Sequence, residues 1–345
     1  MRLNLKYFAL GVGLIELVST PVSMADDLES LGVTISGLVQ VESRYFRDYE
    51  KSETSEMALD EAGLVIDVQR HKWVSAHLAF IYEQEATPLE IDEAFITLGN
   101  LEEYPLFLTV GELYVPFGHL DTNMVSDPLT LELAETRARA SQLGFNTGPF
   151  YGSVYAFNGL TDNKHNTIDH YGANLGLADE VRGISYDLGV TYINDIDDTA
   201  AVSDTLDLEA SAVDYDHVGG LSAYLLVDMQ PISLIAEYVT ALDEFKAAHI
   251  AFNGSGAKPQ AWNIEAAYNF NAMAKEMTFA LGYQGTEESV AMGLPEQRYL
   301  GTISATLFDQ TSLSLEYARD VDYKVSEGGT GNEADSVILQ LAVEF

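Results

Sequence analysis

The sequence predicts an all-β protein, a transmembrane antiparallel β-barrel of about sixteen strands, and three observations predict it. Apolar and polar residues alternate with a period of two in about sixteen runs along the chain; the connections between runs alternate between short and long; and the last run carries an unbroken apolar face to the C-terminal residue. Period two sends successive side chains to opposite faces, and a tilted strand of about 9–11 residues crosses a bilayer. Only a closed sheet presents an apolar face to lipid without leaving an open edge.

The first run, 33–45, sets Val33, Ile35, Val39 and Val41 against Thr34, Ser36, Gln40, Glu42 and Arg44. Run 62–69 sets Leu64, Ile66 and Val68 against Asp67, and run 74–82 sets Val74, Ala76, Leu78, Phe80 and Tyr82 against Ser75 and His77. Runs 92–98, 106–111, 141–146, 150–157, 171–177, 185–193, 218–228, 232–242, 261–270, 277–284, 299–307 and 312–319 follow. The last, 335–345, aligns Val337, Leu339, Leu341, Val343 and Phe345 on one face. It reads as the closing strand, and its terminal Phe as an insertion signal for the barrel-assembly machinery. The same parity turns a carboxylate-rich set toward a lumen: Glu42, Asp67, Glu93, Glu237, Glu265 and Glu316, with His77 among them.

Short connections at 69–73, 147–149, 228–231 and 308–311 read as turns. Between them lie long connections at 46–60, 112–140, 158–170, 194–216, 243–260, 285–298 and 320–334, and the second of this outer class, after Tyr82 to about Leu89, is brief. Short periplasmic turns and long outer loops are the asymmetry of a bacterial outer-membrane barrel, and an even strand number puts both termini in the periplasm. Residues 26–345 read as one domain, with only 26–32 ahead of the first strand, so no plug is expected and the lumen is expected to be aqueous.

Residues 1–25 read as a cleaved Sec signal peptide: Arg2 and Lys6, an apolar stretch over 7–18, then Ser23-Met24-Ala25. Its removal leaves 15 basic and 53 acidic residues, which excludes nucleic acid as a partner. An aromatic content of 10% and a hydrophobic content of 47% argue against disorder. Without cysteine there is no disulfide framework, thiol catalysis or thiolate metal site.

Candidate chemistry concentrates on the third long connection, which carries Glu112, Asp121, Asp127, Glu132 and Glu135, then Arg137 and Arg139. Folded into the lumen, opposed carboxylates and guanidiniums would select by charge and shape; left outside, they are solvated loop charges. An acidic wall attracts cations and repels anions. The fifth long connection gathers Asp195, Asp197, Asp198, Asp204, Asp207, Glu209, Asp214, Asp216 and His217. These make the loop a candidate calcium or iron site, but no EF-hand spacing occurs there, so a hydrated acidic loop, or one bridged by divalent ions to lipopolysaccharide phosphates, is expected, with no resident metal or cofactor. Tyrosines near strand ends suit interface girdles, a sugar slide being the alternative. No nucleophile elbow or HExxH pair is present, and no enzymatic activity is expected.

Four segments carry a family resemblance: Asp-Glu-Ala-Phe-Ile-Thr-Leu-Gly-Asn at 92–100, Gly-Glu-Leu-Tyr-Val-Pro-Phe-Gly at 111–118, Ser-Asp-Pro-Leu-Thr-Leu-Glu-Leu-Ala-Glu-Thr at 126–136 and Tyr-Gly-Ser-Val-Tyr-Ala-Phe-Asn-Gly at 151–159. Together they resemble the LbtU-type siderophore porins. The resemblance implies an outer-membrane, plug-less and TonB-independent route for a ferric siderophore of polycarboxylate type, for which Arg137 and Arg139 would be bidentate partners. The residues alone leave open a general cation-favouring diffusion porin and a structural or adhesive barrel. Outer-membrane lipid, lipopolysaccharide and further copies in a homotrimer are the expected partners.

Overall fold

The computed structural model describes residues 32–84, 86–159, 168–206 and 217–345. The signal-peptide expectation and the acidic residues between 207 and 216 lie outside them. Sixteen antiparallel strands, each hydrogen-bonded to its neighbours in sequence, form a closed barrel. They are β1 (Val33–Arg47), β2 (Glu53–His71), β3 (Val74–Glu83), β4 (Glu90–Gly99), β5 (Leu106–Tyr114), β6 (Arg137–Thr147), β7 (Phe150–Phe157) and β8 (His170–Val181). The second half comprises β9 (Ile184–Ile193), β10 (Gly220–Met229), β11 (Ile232–Ala241), β12 (Gln260–Ala272), β13 (Lys275–Glu287), β14 (Gln297–Phe308), β15 (Thr311–Val321) and β16 (Glu333–Glu344). Among the described residues, no helix is long and apolar enough to cross a membrane.

Closure is made by β16 pairing with β1 from Leu38↔Glu344 to Arg47↔Asp335. The terminal residue completes it: the Gly37 amide donates to the Phe345 carbonyl at 2.9 Å and the Phe345 amide to the Gly37 carbonyl at 3.0 Å. Val337, Leu339, Leu341, Val343 and Phe345 are all exposed on the outer face, while Ile338, Gln340 and Ala342 are buried within. The two-residue turn Arg182-Gly183 has positive φ at both positions, the conformation that suits a tight hairpin between twisted strands.

Several strands run further than the sequence period indicates. The first predicted loop, 46–60, shrinks to 48–52, because β2 begins at Glu53 and pairs with β1 from Arg47↔Glu53 onward. Glu53, Thr54, Ser55 and Glu56 show no apolar alternation because this end of the ladder lies beyond the apolar outer belt, so backbone pairing persists where the pattern has stopped. For the same reason the third loop spans 115–136, not 112–140, and Glu112, Arg137 and Arg139 are strand residues.

Outside, apolar side chains such as Val41, Ile96, Val110, Leu175, Leu225, Ile264, Leu281 and Leu339 are exposed in a continuous belt. Exposed aromatics flank it at both ends. Tyr104, Phe150, Tyr268, Phe308 and Phe345 lie toward the turn end, and Tyr171, Tyr238, Tyr299 and Tyr317 toward the loop end. That distribution matches lipid on the outside and headgroups at both rims. Inside, loops bury a core of Leu113, Val115, Phe117, Leu120, Leu129, Leu133, Phe157, Ile193, Ile196, Val202, Phe245 and Ile250 against one side of the barrel.

Candidate functional site

The third loop, L3 (115–136), crosses the lumen, and polar side chains of the opposite wall hold its backbone. A loop buried inside a barrel needs partners for its amides, since an orphaned buried N–H is costly. Glu237 on β11 accepts the amides of His119 at 2.7 Å and Leu120 at 3.1 Å, together with the hydroxyls of Thr130 and Ser222. Glu265 on β12 accepts the Thr122 hydroxyl and the Asn123 amide, each at 2.6 Å. Glu316 on β15 accepts the amides of Val125 at 2.6 Å and Ser126 at 3.1 Å, and the Ser126 hydroxyl at 2.5 Å. On the return path Leu129 donates to Gln284 of β13 at 3.1 Å, leading into the single turn α1 (Leu129–Glu132).

The loop therefore offers a latch every three residues, at 119–120, 122–123 and 125–126. Leu120 adopts a left-handed conformation (φ 63°), unusual for a branched residue, which turns two successive amides onto Glu237. Gly118 (φ 84°) precedes it; a Cβ there would lie 2.9 Å from Ala134 Cβ and from Leu120 Cδ2. Met124 anchors the far end in a small apolar cluster with Ala267, Ala280, Leu300 and Ala318.

Glu237, Glu265 and Glu316 face inward, but at 5%, 1% and 1% exposure they lie beneath L3 and do not line the open lumen directly. What lines it is the other face of the loop. Asp127 sits deep within the barrel yet is exposed, so it faces lumen water. Burial together with the charges of Glu132 and Glu83 pushes its carboxyl up to about 6. Burial and the charges of Asp127 and Asp92 push Glu135 up to about 7. Asp60 and Glu61 of β2 also lie within the electrostatic reach of Asp127.

The guanidiniums of this region are engaged by carboxylates. Arg44 of β1 contacts Asp60 and donates to Glu42 at 2.5 Å. Arg298 of β14 makes a two-pronged pair with Asp320 at 2.7 and 3.0 Å. Glu42 is further held by Gln340 at 2.8 Å. The site is thus an acidic constriction in which the positive charges are neutralised locally and Asp127, Glu132 and Glu135 are left in excess.

Toward the turn end, the sequence-predicted Asp67, His77 and Glu93 come together. His77 Nδ1 lies 2.8 Å from Asp67, Nε2 lies 3.7 Å from Glu93, and the ring stacks on Phe95 at 4.7 Å. Asp121 stays on the loop beside His119, at 3.4 Å. Glu112, Arg137 and Arg139 do not join the constriction. They alternate with buried Leu113, Ala138 and Ala140, and Glu112 pairs in register with Arg139, so all three have the parity of the outer face. Arg137 reaches Glu90 at 2.7 Å and Asp92 at 3.1 Å at the loop-side rim.

Inward polar residues on strands whose loop-side ends lie above the apolar belt were not singled out in the sequence. Asp60, Glu83, Gln284, Arg298 and Asp320 belong to this group, while Arg44 and Glu61 fall on the polar faces of their runs without a role being assigned to them. Strand parity was the signal that could have found them.

The chain is similar to a UPF0422 protein of Coxiella burnetii, at 30% identity over 312 residues, covering 87% of this chain and 66% of that protein. A UPF0422 protein of Legionella pneumophila is 27% identical, with coverage of 91% and 66%. The chain spans just under two thirds of the length of these relatives. No protein-family model matches it. Among solved structures, OprB of Pseudomonas putida superposes with a TM-score of 0.63 at 11% identity, covering 94% of this chain and 96% of that one. The outer-membrane channel DcaP of Acinetobacter baumannii gives 0.59 at 14%, covering 91% and 97%. OmpT of Vibrio cholerae, in its trimer form, gives 0.54 at 11%, covering 91% and 99%. The fold is that of outer-membrane porins.

Proposed function

We propose that this protein is an outer-membrane porin, loops outward and turns in the periplasm, that admits small cations and neutral solutes in preference to anions. The observation that carries this reading is the latching of L3 across the lumen, which sets Asp127 and Glu135 within electrostatic reach of the acidic wall of β2 and β3, with Glu132 between them on the loop. A narrow path lined by one sign of charge concentrates counter-ions and selects by charge. The test is the reversal potential of single channels in a salt gradient. A cation-selective potential that shrinks in Asp127→Asn supports the reading, and an anion-selective or silent bilayer overturns it.

Ferric-siderophore uptake is the second reading, favoured by one observation. The run at 126–132, part of the segment most distinctive of the siderophore-porin resemblance, forms the far end of L3 and α1. On this reading the L3 tip contacts the cargo. Arg137 and Arg139 are not available to it in the lumen, and a strongly anionic complex meets an unfavourable field. A ferric complex of low net charge fits the site better. Saturable block of the cation current by such a complex supports this second reading, and current unaffected at saturating concentrations overturns it.

A further inference from the structure

At the loop-side rim, away from the constriction, the ends of three adjacent strands bring together two imidazoles and two carboxylates. His170 is the first residue of β8, and Asp195 and His217 flank the connection between β9 and β10. The ladders continue past the strand ends, through Asn194 N–H to Tyr171 O at 2.9 Å and Ile196 N–H to Val218 O at 2.7 Å. This continuation sets the three residues side by side. His170 Nε2 lies 2.9 Å and His217 Nδ1 lies 2.5 Å from the same oxygen, Asp195 Oδ2. The Asp198 carboxylate is 3.4 Å from His170 Nε2. One ligand atom from each of His170, Asp195 and His217 falls within 4.8 Å of the others.

We propose that His170, Asp195, His217 and Asp198 form a binding site for a first-row divalent transition ion of zinc type. In a tetrahedral site with bonds of about 2.0–2.2 Å, neighbouring ligand atoms stand roughly 3.3–3.5 Å apart, so an ion is admitted once the His170 contact opens by about half an ångström and the half-exposed His217 swings out by about 1 Å. Mixed imidazole and carboxylate donors suit zinc and its neighbours, whereas calcium and magnesium call for oxygen donors.

The surroundings have the features of a metal-site outer shell. His170's other ring nitrogen, Nδ1, lies 3.0 Å from the Asp169 carboxylate, an ion-pair contact without hydrogen-bond geometry that leaves a carboxylate beside the ring for a small rotation to engage. Asp195 Oδ1 accepts the Asp197 amide at 3.1 Å, which aims Oδ2 at the two imidazoles. His170 and Asp195 are fully buried, so their positions are set by packing, while His217 is 46% exposed and gives an ion its entry. Gly159 closes the inner side: a Cβ there would fall 2.2 Å from His170 Cε1 and 2.6 Å from Asp198 Oδ2. A bound ion would tie β8 to both ends of the fifth loop at the barrel mouth.

Titration calorimetry of the chelator-stripped, detergent-folded protein with zinc chloride tests this, alongside visible spectra with cobalt(II). Expected are one equivalent of bound zinc, the intense absorption of tetrahedral cobalt, and a loss of affinity of at least about 100-fold in His217→Ala. His217 is half-exposed, so that variant retains the barrel, and His71→Ala at the turn end serves as the control with unchanged binding. Absence of saturable binding, or weak binding of several equivalents that persists in His217→Ala as bare acidic loops would give, overturns the proposal.

Discussion

The carboxylate of Glu316 accepts the backbone amide of Val125 at 2.6 Å, joining residues 191 positions apart across the lumen. The same carboxylate takes the Ser126 amide and hydroxyl and the Thr302 hydroxyl, so it serves as a four-donor socket for the tip of L3. Glu237 and Glu265 repeat the device further back along the loop. Three wall acids therefore position the loop that carries Asp127, Glu132 and Glu135, and the acidity of the lumen divides into a structural set under the loop and a second set on the loop itself.

Loss of a latch has a specific consequence. Removing a buried acceptor strands each donor it served, at roughly 1–3 kcal/mol per group. Glu316→Ala is expected to free the tip while Glu237 and Glu265 retain the base, giving larger and noisier single-channel conductance in an otherwise folded barrel. Glu316→Gln, which keeps one acceptor oxygen, is expected to fall between the two. Conductance histograms identical in wild type and Glu316→Ala would show that the latch does not restrain the loop.

Selectivity is expected to depend on pH in a range where ordinary surface carboxylates are already fully ionised. The Asp127 and Glu135 carboxyls are pushed up to about 6 and about 7, so protons bind as pH falls through that range and negative charge leaves the constriction. Cation preference, read as reversal potential, is expected to be largest near pH 8 and to drop to roughly half by pH 5. Asp127→Asn/Glu135→Gln is expected to start lower and to respond weakly over the same interval. A wild-type potential constant from pH 8 to pH 5 would remove these two groups as the selecting charges.

The barrel was legible in the sequence because its outer face must be apolar at every second residue. Val337, Leu339, Leu341 and Val343 could not have been placed otherwise. Strand ends were less legible: at Glu53 to Glu56 and at Arg137 both faces meet water or headgroups, so the ladder continues without an apolar signature. The inward orientation of Glu237, Glu265 and Glu316 followed from parity, but their use did not. A latch depends on where a 22-residue loop passes, and no local pattern around Glu316 names Val125 as its partner.

The displacement of Arg137 and Arg139 to the outer face has its own test. Both alternate with the buried alanines of β6, and Arg137 is held by Glu90 and Asp92 at the rim. Arg137→Ala/Arg139→Ala is expected to leave reversal potential and unitary conductance within experimental scatter of wild type. Its expected effect is on the extracted protein, as a lower melting temperature in lipopolysaccharide-free detergent or a weaker association between copies. A shift toward stronger cation selectivity in the double variant would return these guanidiniums to the conduction path.

Closure of the barrel depends on a contact between its first and last strands. The Phe345 ring lies on the outer face over Gly37, where a Cβ would meet its Cζ at 2.4 Å and the Gly63 carbonyl oxygen at 3.0 Å. Gly37 leaves the space, the aromatic ring covers the exposed backbone, and two main-chain hydrogen bonds join the same residues. Gly37→Val must push the ring away or bend β1, at a cost of roughly 1–3 kcal/mol at the seam. It is expected to lower the fraction of folded barrel, measured as the heat-modifiable band on electrophoresis. Phe345→Ala keeps both backbone bonds but uncovers Gly37, so a smaller loss is expected in purified refolding. Combining it with Gly37→Ala, in which the ring is no longer present to clash, is expected to recover part of the folded fraction lost by Gly37→Ala alone. Additive losses in the combined variant would show that the two residues act on closure independently.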